Sequence, residues 1–138
     1  MRSYSVSLFL GSVDSKSGKS YTKSDLRAAI LSFQSSPDVK RWPPEGFFTV
    51  RITATDFVSP PDYYESGWEV VAIRYPRPYT DADITLPLEE VIFDWMDALA
   101  EYLSGKFNQN RICVMDSKRV TMFERIQKGS KEQIIHHR

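Results

Sequence analysis

Arginines carry most of the chemical potential in this sequence. Arg51 and Arg74 fall inside strand-like patterns, where a solvent-facing charge is not required, and Arg77, Arg111 and Arg119 fall near strand ends. A guanidinium grips phosphate with two parallel hydrogen bonds and stacks on planar rings. Phe9, Phe47, Tyr75 and Phe123 supply such rings. Arg51, Arg74 and Arg111, with Phe9, are therefore candidate contacts for an anionic, nucleotide-like small molecule. The competing use of the same cations is pairing with Asp56, Glu65, Glu69 or Asp116, within one chain or between chains.

Other chemistries find less support. The stretch GSVDSKSGKS, Gly11–Ser20, follows a strand pattern and ends in Gly-Lys-Ser like a phosphate-binding loop. That loop needs four residues between its first glycine and Gly-Lys, so that successive N–H groups wrap the phosphates. Six intervene here between Gly11 and Gly18, so the expectation is an ordinary loop leading into a helix. His136 and His137 are adjacent, and adjacent side chains diverge; no metal site is expected. No cofactor is expected either. Cys113 sits in the alternating run RICVM without a nearby base, which makes it a small packing residue and not a nucleophile. No catalytic residue is assigned. The reading leans away from an enzyme, because small enzymes of this size class need a placed histidine or paired acids.

Composition narrows the class. The chain has 138 residues, 41% apolar and 26% charged, with formal net charge zero. That describes one domain with a core large enough to need no staples. A single cysteine offers no internal disulfide. No apolar stretch approaches the roughly 20 residues that span a bilayer, and no signal-peptide pattern is visible. A cytoplasmic protein without a membrane partner is the expectation. Charge is unevenly placed: residues 81–103 carry seven acidic groups and no Lys or Arg, while residues 104–138 carry eight basic groups against three acidic ones. Nucleic acid is an unfavoured partner at zero net charge.

Hydrophobic periodicity supplies the elements that must position these residues. Residues 88–106 place Leu88, Val91, Ile92, Trp95, Met96, Leu99, Tyr102 and Leu103 at helical spacing. Glu89, Glu90, Asp94, Asp97 and Glu101 fall between them as an acidic outer face, and Gly105 is the expected left-handed residue after the last turn. Tyr4–Leu10 alternates as a half-buried strand. A helix capped by Thr22 or Ser24, with Asp25 in its first turn, must end before Pro37. Phe47–Val58 alternates again, Tyr63–Gly67 reads as a turn region, and Trp68–Tyr75 reads as a central strand. Arg111–Met115 is a fourth strand, and Lys118–Gln127 a short fifth.

The order is β-α-β-β-α-β, the split βαβ arrangement. It predicts an α+β, ferredoxin-like domain over residues 1–127, with two helices on one face of a four-stranded antiparallel sheet. Residues 128–138 are expected to form a flexible tail. The uncovered face should carry Ser5, Ser7, Phe9, Thr49, Arg51, Thr53 and Thr55. Such a face is suited to pairing with a second copy, so a homo-oligomer is expected.

LFLG in the first strand, PPEGFFTV, the long helix and the junction KFNQNRICV resemble a family of small ferredoxin-like bacterial and phage proteins whose helix runs through FNQ or FGQ into the last strand. The family includes phage anti-Thoeris sponges. The resemblance implies non-enzymatic sequestration of a cyclic ADP-ribose signal, at a pocket between subunits. It carries over no ligand contact residue by residue. Asn108 and Gln109, the polar side chains of the junction, complete the candidate set with Arg51, Arg74, Arg111 and Phe9. The alternatives are an inhibitor or adaptor acting through the acidic helix, and a small ferredoxin-like enzyme.

Overall fold

The computed structural model describes residues 4–35, 49–74, 89–128 and 131–137, and for Ile73, Arg74, 125–128 and 131–137 the backbone alone. Strand β1 (Tyr4–Gly11) buries Tyr4, Val6, Leu8 and Leu10 and leaves Ser5 exposed, as its alternation requires. Helix α1 (Lys23–Gln34) starts at Thr22. The Asp25 N–H donates to Thr22 Oγ1 at 3.2 Å, and the Thr22 N–H donates to Asp25 Oδ2 at 2.9 Å. This reciprocal cap satisfies two donors that a helix start otherwise leaves open. The helix buries Leu26, Ala29, Ile30 and Phe33.

Strands β2 (Val50–Ser59) and β3 (Tyr63–Arg74) form a long antiparallel hairpin. Here the structure corrects the sequence reading: Tyr63–Gly67 is strand, not turn. Tyr63 and Tyr64 are strong strand formers, and they find partners in Ser59 and Val58. Pro37, Phe47, Tyr75, Arg77 and Leu88, all named in the sequence reading, lie outside the described residues, as does most of the PPEGFFTV stretch.

Helix α2 (Glu89–Lys106) is the organising element. It buries Ile92, Phe93, Trp95, Met96, Leu99, Ala100 and Leu103 against β1, β4 and α1. Phe33 of α1 meets Trp95 edge-on at 5.6 Å. Two details of the expected helix change. Asp97 is buried, at 5% exposure, so the acidic outer face consists of Glu90, Asp94 and Glu101. Gly105 stays helical, and Asn108 takes the left-handed conformation instead, at φ 49°. The Gln109 N–H then closes back on Ser104 O at 3.0 Å.

Strands β4 (Arg111–Met115), β5 (Val120–Lys128) and β6 (Lys131–His137) follow. The sheet order is β2-β3-β1-β4-β5-β6, antiparallel at every pairing. Its first four strands have the ferredoxin-like order, and β5 and β6 extend it beyond β4. Residues 131–137, expected as part of a flexible tail, pair with β5 from Lys128↔Lys131 to Met122↔His137. Backbone pairing there comes from an alternating β5 whose Thr121 and Phe123 are anchored in the core side. The helices cover one face. Ser5, Ser7, Phe9, Arg51, Thr53 and Thr55 share the other, as the alternation implied.

Candidate functional site

A cleft of about 910 Å³ opens on the uncovered face at the Gly11 end of β1. Three elements build it: the sheet floor, the β1–α1 loop, and the junction between α2 and β4. Phe9 and Phe57 stand on the floor edge to face, with ring centroids 6.0 Å apart and planes at 80°. Cys113 and Met122, paired across β4 and β5, continue the floor. Burial pushes the Cys113 thiol up, so it stays protonated and packs as an apolar group.

Four of the six candidate residues line this one cleft: Phe9, Asn108, Gln109 and Arg111. Arg51 does not. It pairs with Val71, four residues along β2 from the Thr55 that faces Gly67, or roughly 13 Å at strand spacing. The backbone of Arg74 pairs with Tyr4 at the opposite end of β1, and its side chain lies outside the described residues. Arg111 donates from Nε to Glu124 Oε1 at 2.9 Å, directly across the β4–β5 ladder. Arg119 stacks over Phe93, 4.1 Å from its centroid, and contacts Asp116 at 3.4 Å. The carboxylate partners foreseen from sequence thus claim Arg119, while Arg111 takes Glu124.

The loop is not a phosphate cradle. Asp14 accepts from the N–H groups of Lys16 and Ser17 at 2.9 and 3.0 Å, and Gly18, at φ 71°, closes on Asp14 O at 2.8 Å. The donors that would wrap a phosphate are spent on an internal carboxylate. These backbone bonds, led by Ser17 and joined by the Asn108 amide, hold the Asp14 carboxyl below its ordinary range.

The junction FNQ clamps this loop. Phe107 stacks on Tyr21, with centroids 4.0 Å apart and planes at 10°. The Tyr21 hydroxyl donates to Gly11 O, and burial pushes that hydroxyl's pKa up, with the charge of Glu65 adding to it. Asn108 Nδ2 reaches both Asp14 carboxylate oxygens, and the Ser15 hydroxyl donates to Asn108 O. Gln109 Nε2 donates to Val13 O at 2.7 Å and Phe107 O at 3.1 Å.

Glu65 is the residue that sequence reasoning used only as an arginine partner. It reaches the cleft from the part of β3 taken as a turn, and its Oε2 accepts from Tyr63. With Glu124 it gives the cleft two carboxylates, against the two cations Lys16 and Arg111, the latter bound to Glu124. The signal available in sequence was the alternation of Tyr63, Glu65 and Gly67, which puts Glu65 on the open face once β3 begins at Tyr63. Among the described residues no group of three or more His, Cys, Asp or Glu is placed to hold a metal. No helix among them is long and apolar enough to cross a membrane.

No family model matches the chain, and no curated protein matches it. Among solved structures it is similar to a phage SAM lyase in complex with S-methyl-5′-thioadenosine. That likeness has TM-score 0.53 and 13% identity, over 96% of this chain and 88% of the other. It is similar also to a phage SAM lyase in the apo state, with TM-score 0.54 and 14% identity, over 91% of this chain and 92% of the other. The likeness is one of fold.

Proposed function

We propose that the protein binds an S-adenosyl-type nucleoside, S-adenosylmethionine or its thioether S-methyl-5′-thioadenosine, in the cleft beside Gly11. The observation that carries this reading is the make-up of the cleft. Two edge-to-face rings lie beside an acceptor-rich corner formed by Glu65 and Gln109. Such a surface suits a flat base, a hydroxylated sugar and a sulfonium cation. It suits a polyanion less, because Arg111 is already bound to Glu124 and the loop donors are bound to Asp14. The fold that the chain shares with phage SAM lyases supports the ligand class.

Binding alone and turnover are separable. Sequestration leaves the nucleoside intact. Lyase chemistry breaks a carbon–sulfur bond at the sulfonium: the bond's electron pair stays on sulfur as the neutral thioether, and the departing aminobutyrate fragment closes its own carboxylate onto the carbon or loses a neighbouring proton to form an alkene. A melting series with each ligand, followed by mass analysis of the small molecules, tests both. At about one hundred times Kd a ligand should stabilise the fold by about 2.7 kcal/mol. Unchanged ligand mass supports sequestration; appearance of the thioether supports turnover. No melting shift with either nucleoside removes the reading.

A second reading is the phage-type sponge for an anionic nucleotide-derived signal, for which Lys16 and Arg111 are the cationic side chains lining the cleft. Cyclic ADP-ribose in the same melting series decides between them. In either case the uncovered sheet face pairs with a second copy. Met115 and Val120 are neighbours across β4 and β5 on that face, 37% and 50% exposed, at its edge. A sedimentation mass of one chain at micromolar concentration counts against self-assembly.

A further inference from the structure

Gly11 and Gly67 lie opposite one another on β1 and β3. The space their missing side chains leave is occupied from above. A Cβ on Gly67 would run into Leu10 O and the edge of the Phe57 ring. A Cβ on Gly11 would run into Glu65 Oε1 and come within 3.0 Å of Gln109 Oε1. The glycine pair is thus a bare patch of backbone, with an aromatic ring lying over one half and two oxygens converging over the other.

The chemistry of those oxygens is one-sided. Gln109 Nε2 points at the carbonyls of Val13 and Phe107, which only accept. Its orientation is therefore fixed, and the oxygen end must face Gly11. Gln109 is 6% exposed, so it holds this pose against solvent competition. Glu65 Oε2 takes the Tyr63 hydroxyl, which leaves Oε1 for the notch. Among the described residues no donor stands between these two acceptors, so they repel; a group that brings two donors removes the repulsion.

We propose that the notch over Gly11 holds the 2′,3′-diol of the ligand's ribose, one hydroxyl to Glu65 Oε1 and the other to Gln109 Oε1. This rests on the nucleoside reading above and adds to it where the sugar sits. A vicinal diol presents two O–H donors side by side, and an acidic side chain on ribose hydroxyls is a recurrent device. Gly11 is then a positioning residue. Any side chain there displaces the carboxylate on which the diol depends. The ring of Phe57, lying over the adjoining Gly67, forms the apolar wall against which the nucleoside rests.

The experiment is titration of S-methyl-5′-thioadenosine and its 2′,3′-dideoxy analogue into the wild-type protein and Gly11→Ala. The expected result is a loss of tenfold or more for the dideoxy analogue in wild type, since a site built for hydroxyls penalises their absence. Gly11→Ala is expected to lose a similar factor for the parent nucleoside and to discriminate little between the two. Its melting should fall only modestly, because the added methyl displaces the movable Glu65 carboxylate and presses on the Gln109 amide by no more than a few tenths of an ångström. Wild-type affinities within twofold of one another overturn the notch and leave the nucleoside reading standing. No binding of either probe overturns both. If Gly11→Ala fails to fold, the wild-type comparison decides alone.

Discussion

Asn108 Nδ2 donates to both carboxylate oxygens of Asp14, at 3.1 and 2.9 Å, across 94 residues of sequence. One amide thereby fixes the residue after α2 to the loop after β1, and those two segments form adjoining walls of the cleft. Asn108 is also the non-glycine residue at positive φ among the described residues. Asparagine tolerates that conformation better than most side chains.

Asn108→Asp should be worse than Asn108→Ala. It sets a carboxylate against a carboxylate at hydrogen-bond distance. The Asp14 carboxyl is held below its ordinary range, so the bonds around it contribute above the unfolded pKa and fade as pH falls through the folded value. Asn108→Asp should therefore be most damaging near pH 7 and partly recover toward pH 4, as one acid of the pair protonates. Melting temperature followed against pH checks this; a flat difference from wild type would contradict it.

Gln109→Ala removes a buried amide that serves two carbonyls. Leaving those acceptors unpaired should cost about 1–3 kcal/mol in urea denaturation. Gln109→Glu should cost at least as much, because a carboxylate meets the same two carbonyl oxygens.

Asp116 predicts the acid limb of stability. Burial alone would push its carboxyl up. The Tyr4 hydroxyl at 2.5 Å, the N–H groups of Lys118 and Arg119, and the Arg119 charge outweigh that and hold it low. A depressed folded pKa means stability present above the unfolded value and lost as pH falls through the folded one. Asp116→Asn should lower stability at pH 7 and flatten its decline between about pH 5 and pH 2. A decline as steep as wild type would show that other carboxylates govern acid unfolding.

Much of this was legible in the sequence. The alternation of Tyr4–Leu10 and the helical stripe through Trp95 and Leu99 gave the split βαβ order and the polar face. Phe9 and the run holding Asn108, Gln109 and Arg111 come from two stretches far apart in sequence, yet they meet in one cleft. What was illegible depended on partners. Tyr63–Gly67 becomes strand because β2 is long enough to pair with it. Asp97 turns inward on a helix whose buried stripe is wider than its apolar spacing suggested. Asn108 displaces Gly105 as the left-handed residue because Asp14, distant in sequence, rewards its side chain. Each is a tertiary contact overriding a local preference.

Arg111 and Glu124 offer a control. The arginine is 72% exposed and the glutamate 20%, so their ion pair contributes little to stability, about 0–1 kcal/mol. Arg111→Ala should leave melting nearly unchanged while removing one positive charge from the cleft. Affinity for a sulfonium ligand should then hold or rise, whereas affinity for an anion such as cyclic ADP-ribose should fall. The reverse ordering in a binding assay would favour the sponge.

Isothermal titration of S-methyl-5′-thioadenosine into the wild-type protein tests the whole account most directly. Saturable heat is expected, with one nucleoside per chain, a Kd of about 100 µM or tighter, and at least tenfold weakening in Glu65→Gln. Absence of heat at millimolar nucleoside, with the melting temperature equally unmoved, would contradict it.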